Sequence, residues 1–127
     1  FLSLAVSFFL HIIEIIGKRY LTQPPPPYEF FRFNLPFHFP SAEFKPGFSY
    51  PSGHSMRTVF LSVILAYIIL KSKRIDLYEK AFLLFLLLSF NFVMLISRVS
   101  LGEHWTTDVI GGTLLGIAGG LLVTLAI

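Results

Sequence analysis

The sequence of 127 residues contains no cysteine, which excludes disulfide bonds and catalysis by a thiol. Charged residues are also scarce, at 13%, whereas a soluble domain usually carries about 25%. The net charge of +3 is modest and no RNA-type aromatic motif accompanies it, so nucleic-acid binding is not expected. Hydrophobic residues, in contrast, make up 54% of the chain. This composition predicts an integral membrane protein, and the length leaves room for one domain, residues 1–127.

Four apolar segments predict the fold class, because each is close to the roughly 20 residues that a helix needs to cross a bilayer. They are residues 1–16, 55–70, 81–96 and 109–127. The sequence therefore predicts an all-α protein, a polytopic bundle of four transmembrane helices. The first segment is short for a spanning helix and starts without a methionine, so we expect an incomplete N-terminus.

The connection between the first two helices, residues 18–50, contains all but one of the eight prolines and many aromatic residues. The consecutive prolines 24–27 predict an extended, polyproline-like segment. Aromatic rings favour the boundary between membrane and water. We therefore expect an ordered loop that lies in the membrane interface, with a disordered linker as the alternative.

The second connection, residues 71–80, is short and basic, with Lys71, Lys73, Arg74 and Lys80. Basic residues concentrate in cytoplasmic loops of membrane proteins. Because successive helices alternate direction, the start of the second apolar segment and the end of the third are predicted to share the extracytoplasmic face.

The last apolar segment carries Gly112, Gly116 and Gly120 at four-residue spacing. A glycine-rich phosphate loop is one interpretation. The apolar surroundings favour the other, in which the small residues allow helices to pack closely.

Two short strings place ionisable residues beside the apolar segments, and the first is Pro51-Ser52-Gly53-His54. Ser52 is a good helix N-cap, and Gly53 lets the backbone approach a ligand. A helix that begins here directs free N–H groups and the positive end of its dipole outward, which makes a site for an anion such as phosphate. His54 follows in the first turn, where its imidazole can face the bound anion.

The second string is Ser97-Arg98, five residues, His104, three residues and Asp108. If a helix begins near His104, then His104 and Asp108 share a face, and the carboxylate can hold Nδ1–H while Nε2 remains a nucleophile. Arg98 ends the preceding helix and can bind two phosphate oxygens. A structural His–Asp pair is one alternative. A metal site of His54, His104 and Asp108 is another, which the nearby arginine disfavours.

Together the two strings resemble two of the three motifs of the membrane-bound type 2 phosphatidic acid phosphatase family, which shares its catalytic core with vanadium haloperoxidases. The family's first motif is a lysine, six residues and then Arg-Pro. Lys18 matches the lysine, but Pro25 stands at the arginine position. Family members commonly have six helices, so the resemblance also implies further helices before Phe1.

The arginine of the first motif therefore needs a replacement. Arg19 and Arg32 can fold back from the connection, and Arg57 lies three residues after His54 on the same helix face. We favour Arg57, for which the alternative is a side chain that extends from the helix end to the membrane interface.

The resemblance implies a role for each site residue. His104 attacks phosphorus and forms a phosphohistidine, Asp108 orients His104, and His54 protonates the leaving oxygen and then activates water. Phosphate oxygens are neutralised by the other site residues, Lys18, Ser52, the Gly53 N–H, Arg98 and Arg57. Fixed cations and amides perform this task, so neither a metal nor another cofactor is expected.

The implied function is hydrolysis of a lipid phosphomonoester or diphosphate at the extracytoplasmic face of a membrane. An isoprenyl diphosphate, phosphatidylglycerophosphate and phosphatidic acid are the candidate substrates. A lipid phosphotransferase on the same scaffold and a non-catalytic lipid-binding protein are the alternatives.

Two further histidines and a glutamate remain. His11, Glu14 and Lys18 share one helix face, where we expect a Glu14–Lys18 pair that orients the lysine rather than a proton relay. His38 is expected to be a surface residue of the aromatic connection.

Overall fold

Helices form almost all of the chain that the computed structural model describes, which is residues 1–26 and 48–127. They are α1 (Leu2–Tyr20), α2 (Gly53–Lys71), α3 (Leu77–Ser100) and α4 (Thr106–Leu125), and the described residues contain no strand. The predicted all-α bundle is confirmed. α1 continues through Lys18 to Tyr20, so the first residues assigned to the interfacial loop are helical. Most of that loop, with Arg32 and His38, lies outside the described residues.

Three helices in the described part of the chain, α2, α3 and α4, are long and apolar enough to cross a membrane. α1 forms where the first apolar segment predicts a helix, but its 19 residues include the charged residues Glu14, Lys18 and Arg19. These charges lie in the second half of the helix, which is the half that approaches the site described below.

Polar caps extend the helices beyond their apolar stretches. Asp76 caps α3, because its Oδ1 accepts the Glu79 N–H at 2.8 Å while the Glu79 Oε2 accepts the Asp76 N–H at 3.1 Å. α3 therefore begins four residues before the predicted segment and continues past its predicted end, so that Arg98 lies in the last turn.

Glycines set the close approach of α4 to α2. A Cβ on Gly112 would collide with the carbonyl oxygen of Ser52, and one on Gly116 would collide with that of Met56. A Cβ on Gly120 would meet the side chain of Val63. The predicted packing role of these glycines is confirmed, and it brings the backbones of the two helices nearly into contact.

The buried core lies where α1 joins this pair of helices, and it consists of Leu10, Met56, Phe60 and Val123. α3 packs on the outside and has no buried residue. Two described hydrogen bonds join it to α2, from Asn91 Nδ2 to Ser62 Oγ at 2.8 Å and from Lys80 Nζ to the Leu70 carbonyl at 3.0 Å. The start of α2, the end of α3 and the start of α4, which carry the two strings, meet the second half of α1 at one end of the bundle.

Candidate active site

The Pro51–His54 string lies between α1 and α4. The Ser52 N–H donates to the backbone carbonyl of Asp108 at 3.0 Å, which joins the two strings directly. Pro51 is fully buried, and its ring packs against Gly17 of α1. The start of α2 is therefore held on both sides by neighbouring helices.

Ser52 is the N-cap of α2, as predicted. Its Oγ accepts the Ser55 N–H at 3.5 Å and lies 3.0 Å from the Ser55 hydroxyl. The residue has 0% exposure, and its hydroxyl stabilises the start of the helix. Its predicted contact with a phosphate stays a prediction.

Gly53 allows a close approach, but the group that approaches it is internal. A Cβ at this position would collide with the carboxylate of Glu14, which comes from α1. Glu14 is a buried residue. The backbone of the first turn of α2 thus packs against a carboxylate instead of facing open space.

His54 is the exposed member of the string. The charges of Arg98, Arg57, Glu103 and His104 all act on its imidazole, which places His54 beside the second string and beside the next turn of its own helix. The two strings, separated in sequence, therefore form one cluster with His54 on its open side.

A tight turn after α3 directs the second string back to the cluster. Gly102 has φ 74°, a left-handed conformation that glycine adopts without steric cost, and its N–H donates to the Val99 carbonyl at 3.0 Å. Beyond the turn, Glu103 Oε2 accepts a hydrogen bond from Arg98 Nη1 at 2.8 Å. Both side chains are mostly buried, so this charged pair fixes the guanidinium at the end of α3.

α4 begins at Thr106, two residues later than the predicted start near His104. His104 and Asp108 nevertheless face each other, with Nδ1 3.5 Å from Oδ2. Asp108 is fully buried, and its Oδ2 also accepts the Trp105 N–H at 3.0 Å. The carboxylate is thus held by the helix start and lies on the Nδ1 side of the imidazole, which leaves Nε2 on the opposite edge of the ring.

The Glu14–Lys18 pair is present, and it belongs to a larger cluster that the sequence did not predict. Lys18 Nζ donates to Glu14 Oε1 at 2.7 Å, and Arg57 Nη1 donates to Oε2 at 3.1 Å. His11 Nδ1 lies 3.3 Å from the same Oε2. The structure therefore brings Arg57 next to Lys18 through Glu14, whereas Arg19 is exposed at the end of α1.

The segment that follows α1 is attached to the start of α4. Trp105 Nε1 donates to the Pro24 carbonyl at 2.9 Å, and Gln23 Nε2 donates to Thr107 Oγ1 at 2.8 Å. These contacts hold Gln23 and Pro24, the residues directly before Pro25, against the start of α4. Sequence reasoning missed Gln23 and Trp105, although Trp105 is the single tryptophan and directly follows His104.

Among residues 1–26 and 48–127, no group of three or more His, Asp or Glu side chains has the arrangement of a metal site.

Comparison with known proteins identifies the relationship. The model of the PAP2 superfamily matches residues 1–127. The chain belongs to the PAP2 superfamily. Phosphatidylglycerophosphatase B of Bacillus subtilis (strain 168) is 37% identical over 70 residues, which cover 55% of this chain and 34% of that protein. The match thus spans about a third of the relative's length. The comparison with solved structures found no match.

Membership of the PAP2 superfamily agrees with the helical bundle and with the resemblance that the two strings carry. The chain differs from the first motif described above at Pro25, where that motif has an arginine. In the structure, Arg57 binds the same carboxylate, Glu14, as Lys18 does.

Proposed function

We propose that this PAP2 protein is an integral membrane lipid phosphatase that hydrolyses a lipid phosphomonoester or diphosphate through a phosphohistidine. The observation that carries the proposal is the His104–Asp108 pair. A fully buried carboxylate lies on the Nδ1 side of the imidazole, next to the Arg98–Glu103 pair and to the start of α2. This arrangement suits a histidine that reacts through Nε2.

In the first step, His104 Nε2 attacks phosphorus in line, and the bond from phosphorus to the lipid oxygen breaks as the P–N bond forms. His54 gives its proton to the leaving oxygen. Asp108 remains ionised and stabilises the positive charge that develops on the imidazole.

In the second step, a water molecule attacks the phosphohistidine. His54, now neutral, takes a proton from this water, and the P–N bond breaks to release phosphate and restore His104. The exposed position of His54 on the open side of the cluster supports both tasks, because leaving group and water must enter from that side.

Arg98 binds the phosphate oxygens in this proposal, and Lys18 and Arg57 add positive charge from the other side. The first N–H groups of α2 have no partners within the helix, so the helix start contributes a favourable field. Preorganised donors of this kind typically lower a barrier by about 2.7–4 kcal/mol each.

A lipid is the proposed substrate because the cluster lies at the ends of helices that are apolar enough to cross a membrane. The basic connection 71–80 follows the opposite end of α2 from His54, which supports an extracytoplasmic site under the positive-inside rule. The name of the Bacillus subtilis relative makes phosphatidylglycerophosphate the first substrate to test, with phosphatidic acid and an isoprenyl diphosphate beside it.

The test is phosphate release from these lipids by the purified protein in detergent. We expect His104→Ala to abolish release and His54→Ala to reduce it strongly, because His54 is the acid of the first step and the base of the second. An acid-labile, alkali-stable label on the wild type would identify the phosphohistidine. Full activity of His104→Ala would overturn the proposal, and transfer that requires an added alcohol would make the protein a phosphotransferase. The metal-free form of the proposal requires that chelators leave the native rate unchanged.

A further inference from the structure

Glu14 is a buried acid that the proposed reaction does not use. Its side chain has 5% exposure, and its two oxygens bind cations from two different helices, Lys18 of α1 and Arg57 of α2. The carboxylate also packs against the backbone of Gly53, where any larger residue would collide with it. With His11 as the fourth contact, four residues from two helices thus meet at one carboxylate.

The cost of burying the Glu14 carboxylate indicates that its charge has a function. A carboxylate that is removed from water is costly unless cations and hydrogen-bond donors compensate it. A simple packing role at this position is better served by an apolar side chain of similar volume. The charge of Glu14 is useful where it determines the position of the two cations that it binds.

The cations keep their outer surfaces accessible. The Lys18 side chain is 39% exposed and the Arg57 side chain is 48% exposed, although both contact the buried carboxylate. Among the described contacts, Arg57 uses Nη1 for Glu14 and His11, and a guanidinium has further N–H donors for another anion. Arg57 also lies one turn beyond His54, on whose imidazole its charge acts.

We propose that Glu14 is a positioning residue that holds Lys18 and Arg57 side by side as a two-cation clamp for the substrate phosphate. The clamp performs the task of the arginine that Pro25 replaces. This inference rests on the proposed function. Glu14 binds both cations from the buried side and leaves their outer surfaces exposed, so one acid on α1 aligns a cation from each of two helices.

The experiment measures KM for phosphatidylglycerophosphate, kcat and the inhibition constant of orthovanadate, a phosphate analogue, for four variants in detergent. They are Glu14→Gln, Arg57→Ala, the double variant and, as a matched control that removes an exposed cation of α1, Arg19→Ala. Glu14→Gln and Arg57→Ala are each expected to raise KM and the vanadate constant about tenfold, since a hydrogen bond to a charged group is worth that much. The double variant is expected to raise both constants by less than the two single effects combined, because Glu14 acts partly through Arg57 and partly through Lys18. Arg19→Ala is expected to match the wild type.

Rescue distinguishes the clamp from a role in stability alone. Pro25→Arg in the Arg57→Ala background returns a guanidinium to the family position, beside Trp105 and Gln23, and is expected to lower the vanadate constant again. If Glu14→Gln does not fold, Arg57→Ala and its Pro25→Arg derivative decide the question, because Arg57 is half exposed.

The two proposals fail in different ways. If the wild type releases no phosphate, or if His104→Ala still releases it, the proposed phosphatase function is wrong. A wild type whose activity depends on His104, combined with an unchanged vanadate constant in Arg57→Ala, contradicts the clamp alone. A fall in the melting temperature of Glu14→Gln without any change in KM or vanadate affinity also overturns the clamp, since it leaves Glu14 with a purely structural role.

Discussion

The backbone N–H of Ser52 donates a hydrogen bond to the backbone carbonyl of Asp108 at 3.0 Å. Ser52 caps the helix that carries His54, and the Asp108 Oδ2 lies 3.5 Å from Nδ1 of His104. This main-chain contact therefore joins the helix start that carries His54 to the helix start that follows His104. Because this contact uses backbone atoms, it depends on how closely α2 and α4 approach and not on a particular side chain.

Removal of the charge of Asp108 tests its action on His104. In Asp108→Asn, an amide oxygen can still accept the Trp105 N–H, so the start of α4 is preserved. We expect kcat to fall about a hundredfold or more, because the imidazolium that forms during attack loses its counter-charge. Phosphate release gives kcat. Asp76→Asn, which changes the same atoms in the cap of α3 at the other end of the bundle, is expected to leave kcat unchanged, and an equal loss there would contradict the assignment.

A methyl group on Gly112 tests the close contact of α4 with α2. Gly112→Ala places a Cβ against the Ser52 carbonyl, so the helices must separate at the point that links the two strings. We expect the free energy of unfolding to fall by about 1–3 kcal/mol, together with a clear loss of kcat. Unfolding in detergent and phosphate release provide the two measurements. Ala118→Val adds volume on the exposed side of the same helix and is expected to change neither.

The turn at Gly102 predicts a graded response to substitution. Its φ of 74° costs other residues roughly 1–2 kcal/mol, with asparagine the most tolerant. We expect Gly102→Asn to retain more activity than Gly102→Ala, and Gly102→Val to retain least. The order reflects how well Glu103 and His104 are directed back toward Arg98. Equal activity of the three variants in the phosphate-release assay would show that the turn does not position the site.

Loss of the indole N–H tests the attachment of the segment after α1. Trp105→Phe keeps an aromatic ring but removes the hydrogen bond to the Pro24 carbonyl. We expect a decrease of about 1 kcal/mol in the free energy of unfolding and a higher KM, because this segment follows Lys18. Tyr20→Phe, which removes a hydroxyl from an exposed ring of α1, is the control and is expected to alter neither value.

The sequence was sufficient to predict the helical membrane fold, because apolar length and the scarcity of charge leave few alternatives. It also predicted the packing role of Gly112, Gly116 and Gly120 and the cap at Ser52, since both follow from local rules. The contact between the side chains of His104 and Asp108 follows from their four-residue spacing, although α4 starts after His104. In each of these cases, residues close together in the chain determine the outcome.

The sequence could not predict which groups from separate helices meet. The contact of Glu14 with Gly53 was not expected: α1 places its acid where a Cβ of residue 53 would lie, in the first turn of α2. The pairing of Glu103 with Arg98 depends on the turn at Gly102, which reverses the direction of the chain. The contact between Trp105 and Pro24 joins residues that are 81 positions apart in the sequence.

By itself, then, the sequence determined the class of the protein, its membrane helices and the residue types available for phosphate chemistry, since composition and periodicity act locally. Only the tertiary structure decided that Lys18 and Arg57 share one buried carboxylate and that Ser52 is bound to Asp108. Those relationships depend on close helix packing. A Cβ added at Gly53, Gly112 or Gly116 would collide with an atom of a neighbouring helix and prevent the present contacts.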